Sequence, residues 1–148
     1  MFTRVSSSLV RLASRTMATE AREKGLYLTF ASPAQSFYKD TKVRQVDVPS
    51  YSGNFGILAD HVPILAVIKP GVITVYENEG NAKKYFVAAG TVTMNEDSSL
   101  LLLASEAVAV EDLDITTAQQ NLSALGSDSS PEAKIQAEVN QAIVDSVR

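Results

Sequence analysis

From residue 26 to residue 110 the chain alternates short apolar runs with clusters of Gly, Pro, Asn, Asp and Ser, the pattern of strands linked by turns. Leu26 to Ala31 reads as a first strand ended by Ser32-Pro33, and Phe37-Tyr38 opens a short second one. Val43 to Val48 largely alternates polar and apolar residues, which predicts a half-buried strand with Val46 and Val48 inward and Pro49 as its terminator. Phe55 to Leu58 and Ile64 to Lys69 flank a proline-bearing loop, while Val72 to Tyr76 and Lys84 to Ala88 form a hairpin through Glu77 to Asn81. Thr91 to Met94, the unbroken apolar run Leu100 to Ala104 that suits a central strand, and Glu106 to Val110 complete the series. The expected fold over residues 25–110 is an antiparallel β-sandwich of about ten strands in two sheets.

From Glu111 the period changes. Leu113 or Ile115, then Ala118, Leu122 and Leu125, recur at three- and four-residue steps, as on one face of a helix. Glu111, Asp112 and Asp114 are expected in its first turn, where acids interact favourably with the helix dipole, and Gly126 follows as a C-cap. Ser130 and Pro131 suit the N-cap and first position of a second helix, with Ile135, Val139, Ala142 and Ile143 as its inward stripe. Residues 111–148 thus read as an antiparallel two-helix hairpin, rich in alanine and marginal alone, that leans on the sandwich or on a partner.

The stretch from Gly53 to Gly71 is the most constrained and holds the only histidine. Gly53 lies in a polar break, where it can take positive φ and reverse the chain. Gly56 interrupts Phe55 and Ile57, which suggests a bulge or a close backbone approach. Pro63 holds Val62 extended and removes a donor, so Ala59 to Pro63 is expected to be a stiff exposed loop carrying Asp60 and His61. Lys69-Pro70-Gly71-Val72 fits a type II turn with Gly71 at positive φ.

Composition narrows the function. A chain of 148 residues with 45% hydrophobic content can bury one sizeable core, and it contains no apolar run long enough for a membrane helix. Met1 to Thr19 carries Arg4, Arg11 and Arg15, three serines at Ser6 to Ser8 and no acid, with Phe2, Val5, Leu9 and Leu12 on one helical face. That is the pattern of a mitochondrial transit peptide, with cleavage expected between Arg15 and Glu20. Without those three arginines 10 basic residues face 17 acidic ones, a formal charge of −7, which argues against nucleic acid as a partner. Lys83-Lys84 reads as a solvated pair at a hairpin edge.

Catalytic constellations are scarce. With no cysteine and one histidine, a nucleophilic triad could use only His61, and Asp60 beside it in an extended loop points away. His61 is therefore expected to be structural or interfacial. No cluster has the ligand set of a zinc or calcium site, the glycines lack the Gly-Lys-Ser ending of a phosphate loop, and no catalytic, metal or cofactor residue is expected.

Gly53-x-x-Gly56-Ile57-Leu58, then His61-x-Pro63-Ile64-Leu65 and Ile68-Lys69-Pro70-Gly71, closely resemble the small central-stalk subunit of F-type ATP synthases, called ε in bacteria and chloroplasts and δ in mitochondria. The resemblance runs from about Leu28 to the C-terminus. It implies a non-catalytic rotor subunit, on the matrix side of the mitochondrial inner membrane and peripheral to it. Its partners would be the γ shaft, the small mitochondrial ε subunit and the c-ring. By the same resemblance Gly53, Asn54, Phe55, Asp60, His61 and Pro63 would face the ring. Many bacterial members carry Glu where Asn54 stands, so a charged contact there would be replaced by hydrogen bonding. Some bacterial relatives bind ATP in the hairpin through an arginine; Thr117 stands in its place here, so no nucleotide site is expected. The alternative is a nucleotide- or state-sensing regulator whose hairpin swings to inhibit ATP hydrolysis.

Overall fold

The computed structural model describes residues 23–147, and the leader-like residues 1–19 lie outside them. The strands are β1 Leu26–Ala31, β2 Ser36–Ser50, β3 Gly53–Leu58, β4 Ile64–Ile68, β5 Gly71–Glu77, β6 Ala82–Val87, β7 Gly90–Met94, β8 Ser99–Ala104 and β9 Ala107–Ala109. A 3₁₀ turn, Val110–Asp112, leads into helices α1 Ile115–Leu125 and α2 Pro131–Ser146.

One long strand organises the sheet. The first part of β2 pairs with β1, and its later part lies between β3 and β5. The hydrogen-bonded order β1-β8-β7-β4-β2-β5-β6-β9 closes on itself through the additional β1–β2 pairing, which folds the nine strands into two facing layers. Nine strands cover what sequence suggests as about ten, because β2 serves both layers. One pairing departs from the antiparallel rule, since β1 and β8 run parallel.

The core forms where inward residues of the layers meet. Leu26, Leu28 and Phe30 of β1 are wholly buried with Val46, Ile73, Val75, Val92 and Leu102, so alternation decided the inner face. Phe30 stacks on Phe37 at 4.8 Å and meets Tyr85 of β6 edge-on at 5.4 Å, tying β1 to the opposite layer. Tyr38, at the edge of this cluster, donates to Glu77 Oε1 at 3.0 Å; burial first, then its bonds to Tyr85 and Glu77, push its phenol up.

Five expectations about the strands and the start of α1 need correction. The short strand at Phe37 and the one ending at Val48 are a single β2, bent where Asp40 takes a left-handed conformation (φ 48°). Pro49 does not end it: opposite Asn54 its missing N–H is not needed, and its carbonyl accepts from Lys69 N at 3.2 Å. Gly56 sits in unbroken register opposite Asp47, so there is no bulge; a Cβ there would meet Asp47 Oδ1 at 2.8 Å and Gln45 Nε2 at 2.9 Å. Gly71 lacks positive φ and already belongs to β5; its small size admits the Pro49 ring, whose Cγ would lie 3.1 Å from an added Cβ. In α1 the acids are not in the first helical turn, because Glu111 and Asp112 form the 3₁₀ turn and Asp114 is the N-cap.

The hairpin packs thinly. Ala118 and Ala133 are the buried residues of α1 and α2, while Ile135, expected inward, is 62% exposed. Ser130 does cap α2, its Oγ accepting from Ala133 N at 3.2 Å. Gly126 occupies the C-cap of α1 in a right-handed conformation (φ −31°). The C-terminal part of α2 leans on β5, where Ala142, Asp145 and Ser146 close a groove over Pro49, Val72 and Thr74.

Candidate functional site

The six residues singled out by sequence fall at the two ends of β3. Gly53, Asn54 and Phe55 follow the β2–β3 turn, and Asp60, His61 and Pro63 follow the strand's other end. The six-residue strand Gly53–Leu58, about 17 Å long at strand rise, separates the two groups, so they are not one loop but two corners joined by an edge strand.

Each corner is held by its own hydrogen bonds. At the first, Ser50, 1% exposed, donates to Gly53 O at 3.0 Å and accepts from Ser52 N at 3.1 Å, while Gly53 takes φ 123° as expected. This presents Tyr51, 67% exposed, on a tied turn. At the second, Asp60 takes a left-handed conformation (φ 60°), and its N–H donates to Ser98 Oγ at 3.2 Å. Ser98, itself left-handed (φ 61°), joins this corner to the β7–β8 loop. His61 lies with Nδ1 at 2.8 Å from Val62 O; a carbonyl only accepts, so Nδ1 carries the proton. Asp60 and His61 therefore turn to different partners and form no catalytic pair. Ser50 and Ser98 escaped the sequence reading, because a serine's partner is invisible without the fold.

A second surface also escaped it. On the outer side of β4, β7 and β8, Leu65, Val67 and Leu103 are 74%, 57% and 46% exposed, in rows completed by Thr91, Thr93 and Leu101. Not one of these six is charged. The available signal was the run Leu100 to Ala104: apolar on both faces, yet covered on only one. The outer side of β5 differs, being polar and partly covered by α2. There Arg44 lies over the Tyr76 ring at 5.8 Å, and a hydrogen bond to Asp47 raises the Tyr76 phenol.

At the hairpin, Thr117 donates both its N–H, at 3.1 Å, and its hydroxyl, at 2.6 Å, to Asp114. These bonds hold the Asp114 carboxyl below its usual range. Thr117 thus serves the N-terminal cap of α1. Among the described residues no three His, Cys, Asp or Glu groups are placed to hold a metal ion.

A strand edge between two hydrogen-bonded corners and an uncharged outer face are features that suit a docking module. The family model for the ATP synthase delta/epsilon chain β-sandwich domain matches residues 25–110. The chain is 41% identical to the mitochondrial ATP synthase subunit delta of Caenorhabditis elegans over 139 residues, 89% of this chain and 85% of that one. It is 37% identical to that of Saccharomyces cerevisiae over 142 residues, 90% and 88% of the two chains. In fold it resembles a chain of the Euglena gracilis mitochondrial ATP synthase OSCP/F1/c-ring structure, with TM-score 0.74 and 20% identity over 84% of this chain and 80% of that one. The chain belongs to the ATP synthase delta/epsilon family, whose members are non-catalytic subunits.

Proposed function

We propose that this chain joins the γ shaft of the mitochondrial ATP synthase to the c-ring and passes torque between them, on the matrix side of the inner membrane and peripheral to it. The observation that carries this is the uncharged outer face on which Leu65 and Val67 of β4 and Leu101 and Leu103 of β8 flank Thr91 and Thr93 of β7, a surface that α1 and α2 leave uncovered. The γ shaft docks there. The edge of β3 lies along the c-ring, which lets Gly53, Asn54, Phe55, Asp60, His61 and Pro63 touch one flat partner despite their separation. The small ε subunit supports the thinly packed hairpin of residues 111–148. Residues 25–110 form the docking body, and residues 1–19 act as the leader that directs the chain to the matrix. The hairpin stays docked, as a load-bearing part requires.

Purification from mitochondrial membranes through a C-terminal tag tests the reading. The wild-type chain brings γ and the c-ring with it; Leu65→Glu combined with Leu103→Glu folds but loses at least tenfold of the γ recovered. A folded double variant that retains γ at the wild-type ratio refutes the assignment of this face. A wild-type chain that brings down neither partner refutes the reading as a whole.

A further inference from the structure

The five tyrosines divide four against one. Tyr27 donates its hydroxyl to Glu23 O at 3.0 Å, Tyr38 to Glu77 Oε1, Tyr85 to Tyr38 at 3.4 Å, and the Tyr76 phenol bonds Asp47. The rings of Tyr38 and Tyr85 also pack in the aromatic cluster, and Tyr76 carries Arg44 over its face. Tyr51 has none of this. It is 67% exposed, and neither its hydroxyl nor its ring has a partner among the described residues.

The backbone beneath that free side chain is pinned from both sides. Ser50 Oγ has one proton, which goes to Gly53 O, so it accepts from Ser52 Oγ at 2.7 Å as well as from Ser52 N. Before the turn, Pro49 fixes its own φ and its carbonyl accepts from Lys69 N, which ties the turn to the β4–β5 connection. After it, Gly53 holds φ 123°, a conformation that side chains rarely adopt. The ring thus stands in solvent on a backbone already ordered, with two side-chain torsions left to fix on binding. Large buried area at small entropic cost is the combination that makes tyrosine a frequent hot spot at interfaces.

We propose that Tyr51 is the anchor of the first corner, its ring buried against apolar surface of the c-ring and its hydroxyl bonded to a polar group there, with Ser50 as the positioning residue that holds the turn. This rests on the reading that the β3 edge lies along the c-ring; Tyr51 adjoins Gly53 and Asn54 of that contact.

Nitration by tetranitromethane, read by mass spectrometry of the Tyr51 peptide, is compared in the isolated chain, in the purified complex and in the complex stripped of the c-ring. Tyr51 is the fastest-reacting tyrosine of the isolated chain, slows at least about tenfold in the complex, and regains its reactivity when the ring is removed. Equal rates with and without the ring overturn the proposal, whether Tyr51 is open in both states or covered in both. A complex that contains γ but never the ring overturns it together with the reading on which it rests. Tyr51→Ala speeds dissociation of the ring more than about tenfold, and Tyr51→Phe less than about threefold. Ser50→Ala speeds it about threefold in the wild-type background and not at all beside Tyr51→Ala. An unaltered rate in Tyr51→Ala, equal losses in Tyr51→Ala and Tyr51→Phe, or a Ser50→Ala effect that persists without the tyrosine ring overturns it.

Discussion

In the sandwich, apolar side chains from both layers meet in a core that includes Phe30, Ile73 and Leu102 at 0% exposure; in the hairpin, the buried residues are Ala118 and Ala133. The first region is held by the hydrophobic effect acting on large side chains. The second depends on local helix chemistry and on a short line of contact with β5. Burial of a methyl group stabilises far less than burial of a phenyl ring, so the two regions should respond to different perturbations and by different amounts.

The largest test of that contrast is Phe30→Ala. It removes the ring that stacks on Phe37 and meets Tyr85, and should destabilise the sandwich by about 3–5 kcal/mol in urea titrations followed by near-ultraviolet dichroism of the tyrosines. A loss confined to the far-ultraviolet helical signal would contradict it. Ser130→Ala sharpens the comparison from the other side. Removing the acceptor for Ala133 N should cost α2 about 1 kcal/mol, seen as lower helical signal with the tyrosine transition unmoved.

The smallest effect is acidification. Thr117 holds the Asp114 carboxyl below its ordinary value, so its cap contributes fully above the ordinary carboxylate range near about pH 4 and is lost as pH falls through the lower folded value. Partial loss of helical signal in that window, absent in Asp114→Asn, is the expected result. An identical acid profile in the variant would show that the cap does not couple to helix stability.

Much of this arrangement was legible beforehand because it is local. Val46 and Val48 face inward by alternation, Gly53 reverses the chain at positive φ, and Ser130-Pro131 opens α2, each decided by neighbours in sequence. The readings that failed involve distant partners. Pro49 continues a strand because Asn54 opposite asks nothing of its nitrogen, and Gly71 is small because the Pro49 ring comes against it. Ile135 turned outward because Ala133, not the larger residue, lies at the helix contact.

Period and turn chemistry alone were enough to specify strands followed by helices, the inner side of most strands, and the capping of α2, since these depend on contacts within a few residues. The sharing of β2 between layers, the bare apolar outer face and the unpaired rim of β3 belong to the folded chain. Which strand lies beside which, and which is left without a neighbour, is set by closure of the whole sheet around its core, and that balance involves residues far apart along the chain.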